Sequence, residues 1–156
     1  MKKIHLLLLL TLGTSAFAGG TLSCPDLAAA VQVGACPSEE ELRYTFTGFC
    51  SDDAKAYKGE TDSCTDFALY RKMKNVALWE SADGAFDAYV SCELPKGALQ
   101  QAKASVVRVA KAGKITQLVC SYSNGVSFIH RTREQCTVDA AADCATNAAS
   151  CKARCE

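Results

Sequence analysis

Ten cysteines constrain this chain of 156 residues more than any other feature of its sequence. An even set this dense indicates a disulfide framework in an exported chain, whereas in a reducing cytosol it would indicate metal or redox chemistry. We therefore expect five disulfide bonds, whose connectivity the spacing alone does not give. The expected disulfide residues are Cys24, Cys36, Cys50, Cys64, Cys92, Cys120, Cys136, Cys144, Cys151 and Cys155.

The first 18 residues have the pattern of a secretory signal peptide. Lys2 and Lys3 precede a leucine-rich run over residues 4–12, and Ala16-Phe17-Ala18 supplies the small residues of a cleavage site. The apolar run is shorter than the roughly 20 residues that span a bilayer. We expect cleavage after Ala18, a single domain over residues 19–156, a secreted or periplasmic location and no integral membrane segment.

The clearest local pattern lies between residues 104 and 132. Three runs rich in β-branched and aromatic residues predict the strands of an antiparallel meander: Val106–Val109, Ile115–Tyr122 and Val126–Ile129. Ala112-Gly113 and Asn124-Gly125 separate them as predicted two-residue turns.

These turns predict a register for the meander. A two-residue turn at Asn124-Gly125 pairs Cys120 with Ile129 and Val119 with His130, and one at Ala112-Gly113 pairs Val107 with Leu118. We expect one face to pack against helices and form the core. Its predicted residues are Val107, Val109, Leu118, Cys120, Tyr122 and Ile129.

Short helices and two further strands are predicted before the meander. Residues 27–33 are predicted to be helical, and Ser38 with Glu41 forms a capping box that opens a second helix from Glu39. Another short helix is expected over residues 66–74, then strands over residues 76–80 and 86–93. Pro95 is expected at the first position of a last short helix.

The tail is predicted to be a helix with a cysteine stripe. Cys151 lies 7 residues after Cys144 and Cys155 lies 11 residues after it, so the three cysteines align along one side of a helix. The predicted fold class is therefore α+β and disulfide-rich, with an antiparallel meander sheet, short N-terminal helices and this C-terminal helix. We leave open a pairing of Cys50 with Cys64 across the polar loop between them.

No familiar catalytic or cofactor motif is present. The acidic residues of the loop do not have the spacing of a calcium-binding loop, and three cysteines on one helix do not make a zinc site, so we expect no metal and no cofactor. His130 is the one histidine of the mature chain. The alternative hypothesis is that the protein is an enzyme: a small secreted hydrolase that uses His130 with a nearby serine or a free cysteine.

Near-neutral composition hides an uneven distribution of charge. Residues 19–93 carry 13 acidic and 6 basic side chains, whereas residues 94–133 carry 7 basic side chains and no acidic one. This segment predicts a face for an anionic partner, such as an anionic surface or an acidic protein. The alternative is that its cations pair with the acidic N-terminal half or are solvated. The candidate face comprises Arg108, Lys111, Lys114, His130, Arg131 and Arg133.

A set of short motifs resembles a family of small exported Gram-negative proteins of unknown function. The motifs are Cys36-Pro37, Trp79-Glu80-Ser81 before Asp83-Gly84, and Cys120-Ser121-Tyr122 before the last strand of the meander. The resemblance implies a secreted α+β domain and a bridge between Cys36 and Cys120. It implies no catalytic residues.

These observations favour a non-enzymatic binding or interaction protein over an enzyme. We expect an unidentified ligand, with an exported factor directed at a host or competitor as one form of this hypothesis. Few aromatic residues lie among the cations, so a nucleic-acid partner is not expected.

Overall fold

A computed structural model describes residues 20–50, 62–138, 144, 146–147 and 150–156. It has helices and antiparallel sheets joined by four disulfide bonds, so the predicted disulfide-rich α+β class is confirmed. The predicted signal peptide and most of the loop between Cys50 and Cys64 lie outside the described residues.

The described elements are four helices, one 3₁₀ turn and nine strands. The helices are α1 (Glu39–Cys50), α2 (Asp62–Thr65), α3 (Phe67–Lys74) and α4 (Lys96–Gln100), and the 3₁₀ turn is Leu27–Ala29. The strands are β1 (Gly20–Ser23), β2 (Val31–Gln32), β3 (Val76–Glu80), β4 (Asp87–Ser91), β5 (Ala104–Ala112), β6 (Ile115–Tyr122), β7 (Ser127–Thr132), β8 (Cys136–Val138) and β9 (Lys152–Cys155).

Two sheets enclose the core. The larger sheet has the order β2-β3-β4-β7-β6-β5, and the smaller has the order β1-β9-β8. The core cluster joins Leu118, Cys120 and Phe128 of the meander to Leu27 of the 3₁₀ turn and to Ala153 of β9. Helices were predicted to cover the meander, but the 3₁₀ turn, α4 and the smaller sheet take most of that role.

Helices α1 and α3 form a separate aromatic cluster. Phe46 lies edge-on to both Phe67 and Tyr70, with ring centroids 5.4 and 5.2 Å apart. Edge-to-face geometry suits aromatic quadrupoles. Arg71 donates hydrogen bonds to Glu39 and Glu93, so the ion pairs join α1 and α3 to the residues just after β4.

The capping box correctly predicted where α1 begins, and the helix predicted over residues 66–74 is confirmed as α3, which begins one residue later. The Ser38 amide donates to Glu41 Oε2 at 2.7 Å, and the Glu41 amide donates back to Ser38 Oγ at 3.1 Å. Asp66 caps α3 by accepting from the amides of Ala68 and Leu69. Both caps use hydrogen bonds between residues no more than three apart in sequence.

The predicted helix over residues 27–33 is wrong. Only Leu27–Ala29 forms a turn, of the 3₁₀ type, and Val31–Gln32 then pairs with β3. Ala30 has an extended backbone and donates to the Leu27 carbonyl, which ends the turn after one round of hydrogen bonding. Pro95 is the N-cap of α4 rather than its first helical residue.

The meander exists, but its predicted register is wrong. Val119 lies opposite Ile129 and Cys120 opposite Phe128, one residue away from the predicted pairs. Gly125 has a φ of +82° and donates to the Tyr122 carbonyl, and the Tyr122 amide donates to the Val126 carbonyl. The loop therefore has three residues, in the pattern of a type I turn followed by a left-handed glycine.

This register exchanges two side chains between faces. Phe128 is fully buried in the core, whereas Ile129, predicted to be a core residue, lies on the opposite face. The β5–β6 turn is also shifted, because Ala112 pairs with Ile115 and Val107 with Cys120 rather than with Leu118. That shift is by an even number, so Val107, Val109, Leu118 and Cys120 still share the predicted core face.

The predicted C-terminal cysteine-striped helix is wrong. Lys152–Cys155 is strand β9, the centre of the smaller sheet. Cys151, Ala153 and Cys155 are buried, and Lys152 and Arg154 between them are exposed. The alternation of buried and exposed residues, which has the period of a strand, is the pattern that the structure follows. The helical spacing of the three cysteines is not.

Four disulfide bonds join the described cysteines, as Cys24–Cys120, Cys36–Cys92, Cys136–Cys155 and Cys144–Cys151. The bridge between Cys36 and Cys120 that the resemblance implied is therefore wrong. Cys64 is half-buried and has no disulfide partner among the described residues, and the side chain of Cys50 lies outside them. Cystines of this number indicate an oxidising, extracytoplasmic environment. None of the described helices combines the length and apolarity needed to cross a membrane.

Candidate functional site

The six residues of the candidate anionic-partner face do not share one face. In β5, Arg108 is exposed on the side of the sheet away from the core, and in β7 Arg131 lies on that same side. Lys111 and His130 alternate with them and belong to the core side. Lys114 lies in the β5–β6 turn, and Arg133 follows the end of β7.

Two of the five cations are engaged by neighbouring side chains. Arg131 Nη1 donates to both carboxylate oxygens of Asp87, at 2.6 and 2.8 Å. Lys111 Nζ donates to Thr116 Oγ1 and Gln135 Oε1, each at 2.7 Å. The alternative of pairing with the acidic half of the chain therefore holds for Arg131.

The other cations have no such partner. Arg108, Lys114 and Arg133 form no ion pair with any described carboxylate, and neither does Lys103, which immediately precedes β5. All four side chains are exposed. We call Lys103, Arg108 and Lys114 the β5 row, because they lie before, within and after this one strand.

The β5 row follows an edge of the larger sheet. Strand β5 is the last in the strand order and has nine residues, so the row extends over roughly 30 Å at the usual rise of a strand. A bulge between Ala104 and Val106 interrupts its pairing near one end. Cations and bulges on an edge strand also discourage pairing with other strands.

His130 is positioned as a packing residue. Its Nδ1 lies 2.7 Å from the Ala85 carbonyl, so this nitrogen is the donor, and its ring lies 5.5 Å from that of Phe86. Among the described residues, no serine hydroxyl or cysteine thiol forms a hydrogen bond with His130. The predicted hydrolase would require such a partner.

The nearby Ser81 and Asp83 organise the turn between β3 and β4. The buried Ser81 hydroxyl donates to Asp83 Oδ1 at 2.6 Å and accepts from the Phe86 amide at 3.0 Å. The hydrogen bond from Ser81, aided by that from the Ala85 amide, lowers the pKa of Asp83 below its ordinary value. The Ser81 hydroxyl is thus directed at a carboxylate within its own turn rather than at the imidazole.

Sequence reasoning missed the two cations of the tail. Lys152 and Arg154 lie on the exposed face of β9, although the predicted helix gave them no common face. The signal that reveals them is the run Cys151-Lys152-Ala153-Arg154-Cys155, in which small buried residues alternate with cations. No group of three or more histidine, cysteine, aspartate or glutamate side chains in the described part of the chain is arranged to hold a metal ion.

Comparison of the chain with models of protein families, with curated proteins and with solved structures finds no match.

Proposed function

We propose that this protein is an exported, non-enzymatic binding protein that takes an anionic polymer or surface along the β5 row. The observation that carries the proposal is that Lys103, Arg108 and Lys114 are exposed and unpaired with any described carboxylate, although Arg131 nearby is neutralised by Asp87. Cations without partners create a local positive potential that attracts anions.

The position of the row supports an elongated partner. Its three cations follow one edge strand rather than a closed pocket, so they could contact successive charges of a linear polyanion. Arg108 is a planar donor suited to sulfate or phosphate oxygens, and the two lysines supply point charges at either end of the strand. Export through the N-terminal signal peptide belongs to the same proposal.

Retention on immobilised heparin, a sulfated polymer, tests the proposal. We expect the oxidised protein to bind at low ionic strength and to elute as sodium chloride rises, because screening weakens attraction between exposed charges. The variant Arg108→Gln/Lys114→Gln should elute at clearly lower salt, and the dependence of log K on log salt should fall by roughly one per lost contact. Purified lipopolysaccharide serves as the second probe.

The matched control is Lys72→Gln/Lys96→Gln, which removes two exposed lysines on helices α3 and α4. Its net charge equals that of the β5 variant. If both variants elute together, attraction depends on total charge and the β5 row has no special part. Failure of the wild type to bind either probe at low salt would overturn the proposal.

A further inference from the structure

The exposed face of the smaller sheet brings together two cations and two hydroxyl groups. Arg154 in the central strand β9 lies opposite Thr21 of β1 and opposite Thr137 of β8. Directly opposed residues in antiparallel strands point to the same side of a sheet, so a threonine flanks Arg154 on each side. Lys152, two residues earlier, shares that face.

The opposite side of this sheet faces the core. Leu22, Ala153 and Val138 form the adjacent row, and all three pack into or against the core cluster. Cys136 and Cys155, also directly opposed, are joined by a disulfide bond. This covalent and apolar support holds the strands from beneath, so the spacing of Thr21, Arg154 and Thr137 is fixed by the fold.

The four polar side chains are not engaged by the other residues that the structure describes. Neither Lys152 nor Arg154 forms an ion pair with a described carboxylate. The Thr21 and Thr137 hydroxyls have no hydrogen-bond partner among the described residues, and all four side chains are exposed. They line a concavity of about 110 Å³. A water molecule occupies about 30 Å³ in the liquid, so the space suits a few waters or one small anion.

We propose that this concavity, the β9 site, binds a tetrahedral oxyanion: the phosphate or sulfate group of a ligand. A guanidinium presents paired N–H donors, a lysine adds a point charge, and each threonine hydroxyl supplies one further donor. Glu156, two residues after Arg154, forms no ion pair with either cation. The β9 site lies on the other sheet from the β5 row and goes beyond the proposed function.

An NMR titration with inorganic phosphate, and separately with inorganic sulfate, tests the β9 site. Ionic strength is held constant with sodium chloride, so that general screening does not change. We expect saturable shifts of the amides of Thr21, Thr137 and Lys152 to Arg154. Arg154→Gln should weaken binding by about tenfold, because hydrogen bonds to charged groups are the strong ones.

The β5 variant Arg108→Gln/Lys114→Gln is the matched control for Lys152→Gln/Arg154→Gln. Each removes two charges, so loss of phosphate binding only in the β9 variant supports the site. Shifts that never saturate, or equal weakening in both variants, would indicate loose counterions and overturn it. Heparin carries sulfate groups, so both variants are also run on heparin: weaker retention in Arg108→Gln/Lys114→Gln but not in Lys152→Gln/Arg154→Gln reports on the β5 row alone. The two proposals can therefore fail separately.

Vesicles identify the source of a bound phosphate group. Vesicles of phosphatidylcholine with and without phosphatidylglycerol are mixed with wild type and with Lys152→Gln/Arg154→Gln. Binding that needs both the anionic lipid and the β9 cations assigns the site to headgroups. Phosphate binding without vesicle binding assigns it to a soluble phosphorylated ligand, and absence of both contradicts the β9 site.

Discussion

Tyr122 shows how one side chain joins distant parts of this chain. It is 3% exposed, packs edge-on to Phe128, and its hydroxyl donates to the Pro25 carbonyl at 2.6 Å. The Cys24–Cys120 disulfide bond, close by in sequence on both sides, joins the same two segments of the chain. Burial, with a smaller effect of Asp26, raises the pKa of Tyr122 well above its ordinary value of 10.0.

Removal of the Tyr122 hydroxyl should lower the stability of the protein at neutral pH. It should also make the protein lose less stability as the pH rises above about 10. Tyr122→Phe is expected to cost about 1 kcal/mol near pH 7, the usual net value of one hydrogen bond. A raised folded pKa gives stability that is complete below the unfolded pKa near 10 and is lost as pH rises above it. Urea unfolding from pH 7 to pH 11 measures both effects.

Tyr89 provides the control for that experiment, since it is 71% exposed. Tyr89→Phe should leave the alkaline part of the stability curve of the wild type unchanged. If Tyr122→Phe loses stability with rising pH as steeply as the wild type does, ionisation of Tyr122 does not limit the stability of the protein at alkaline pH.

At the scale of single elements, the β6–β7 turn determines which side chains enter the core. Asn124-Gly125 correctly marked a turn, but the dipeptide is compatible with loops of two or three residues. The choice of three moved Phe128 inward and Ile129 outward. Loop length depends on how the following strand packs, so the local sequence predicted the hairpin and not its register.

Gly125, the glycine of this turn, should tolerate a side chain poorly. Its φ of +82° lies in the left-handed region, so Gly125→Ala is expected to destabilise the protein by about 1 kcal/mol. The penalty is conformational, because nothing lies within 4 Å of an added Cβ. Thermal unfolding under non-reducing conditions measures it.

Gly97 is the matched control, since it lies in α4 with equally open space around an added Cβ. Gly97→Ala should be neutral or stabilising, because alanine favours helix. Equal effects of the two substitutions would contradict the left-handed turn at Gly125.

The capping motifs and the tail differ in what sequence could reveal. Ser38, Glu41 and Asp66 act through hydrogen bonds within a few residues, so they were predictable. In the tail, the helical spacing of Cys144, Cys151 and Cys155 competed with the alternation around Ala153, and pairing with β1 and β8 favoured the strand. The alternation over residues 151–155 is a local signal for β9, but its pairing with β1, more than a hundred residues away, leaves none, so Thr21 could not be placed beside Arg154 from the sequence.

At the scale of the whole molecule, the cystines join segments that are distant in sequence. Cys24–Cys120 spans 96 residues and connects the N-terminal segment to the central meander, whereas Cys144–Cys151 spans 7. In the chain-entropy model, a cross-link stabilises more when it closes a longer loop. We therefore expect the Cys24–Cys120 bond to contribute more to stability than the Cys144–Cys151 bond.

Loss of the two disulfides should therefore have unequal effects. Cys24→Ala/Cys120→Ala is expected to cost about 5 kcal/mol and Cys144→Ala/Cys151→Ala about half of that. Urea unfolding in the absence of reductant compares them. Equal losses, or a larger loss for the short loop, would show that chain entropy does not determine these contributions.

The positions of both the β5 row and the β9 site depend on the cystine pairings, so disulfide mapping tests this account most directly. Proteolysis of the unreduced protein, followed by mass spectrometry of the linked peptides, identifies each pair. We predict Cys24–Cys120, Cys36–Cys92, Cys136–Cys155 and Cys144–Cys151. A peptide that links Cys36 to Cys120, or Cys155 to any cysteine other than Cys136, would contradict it.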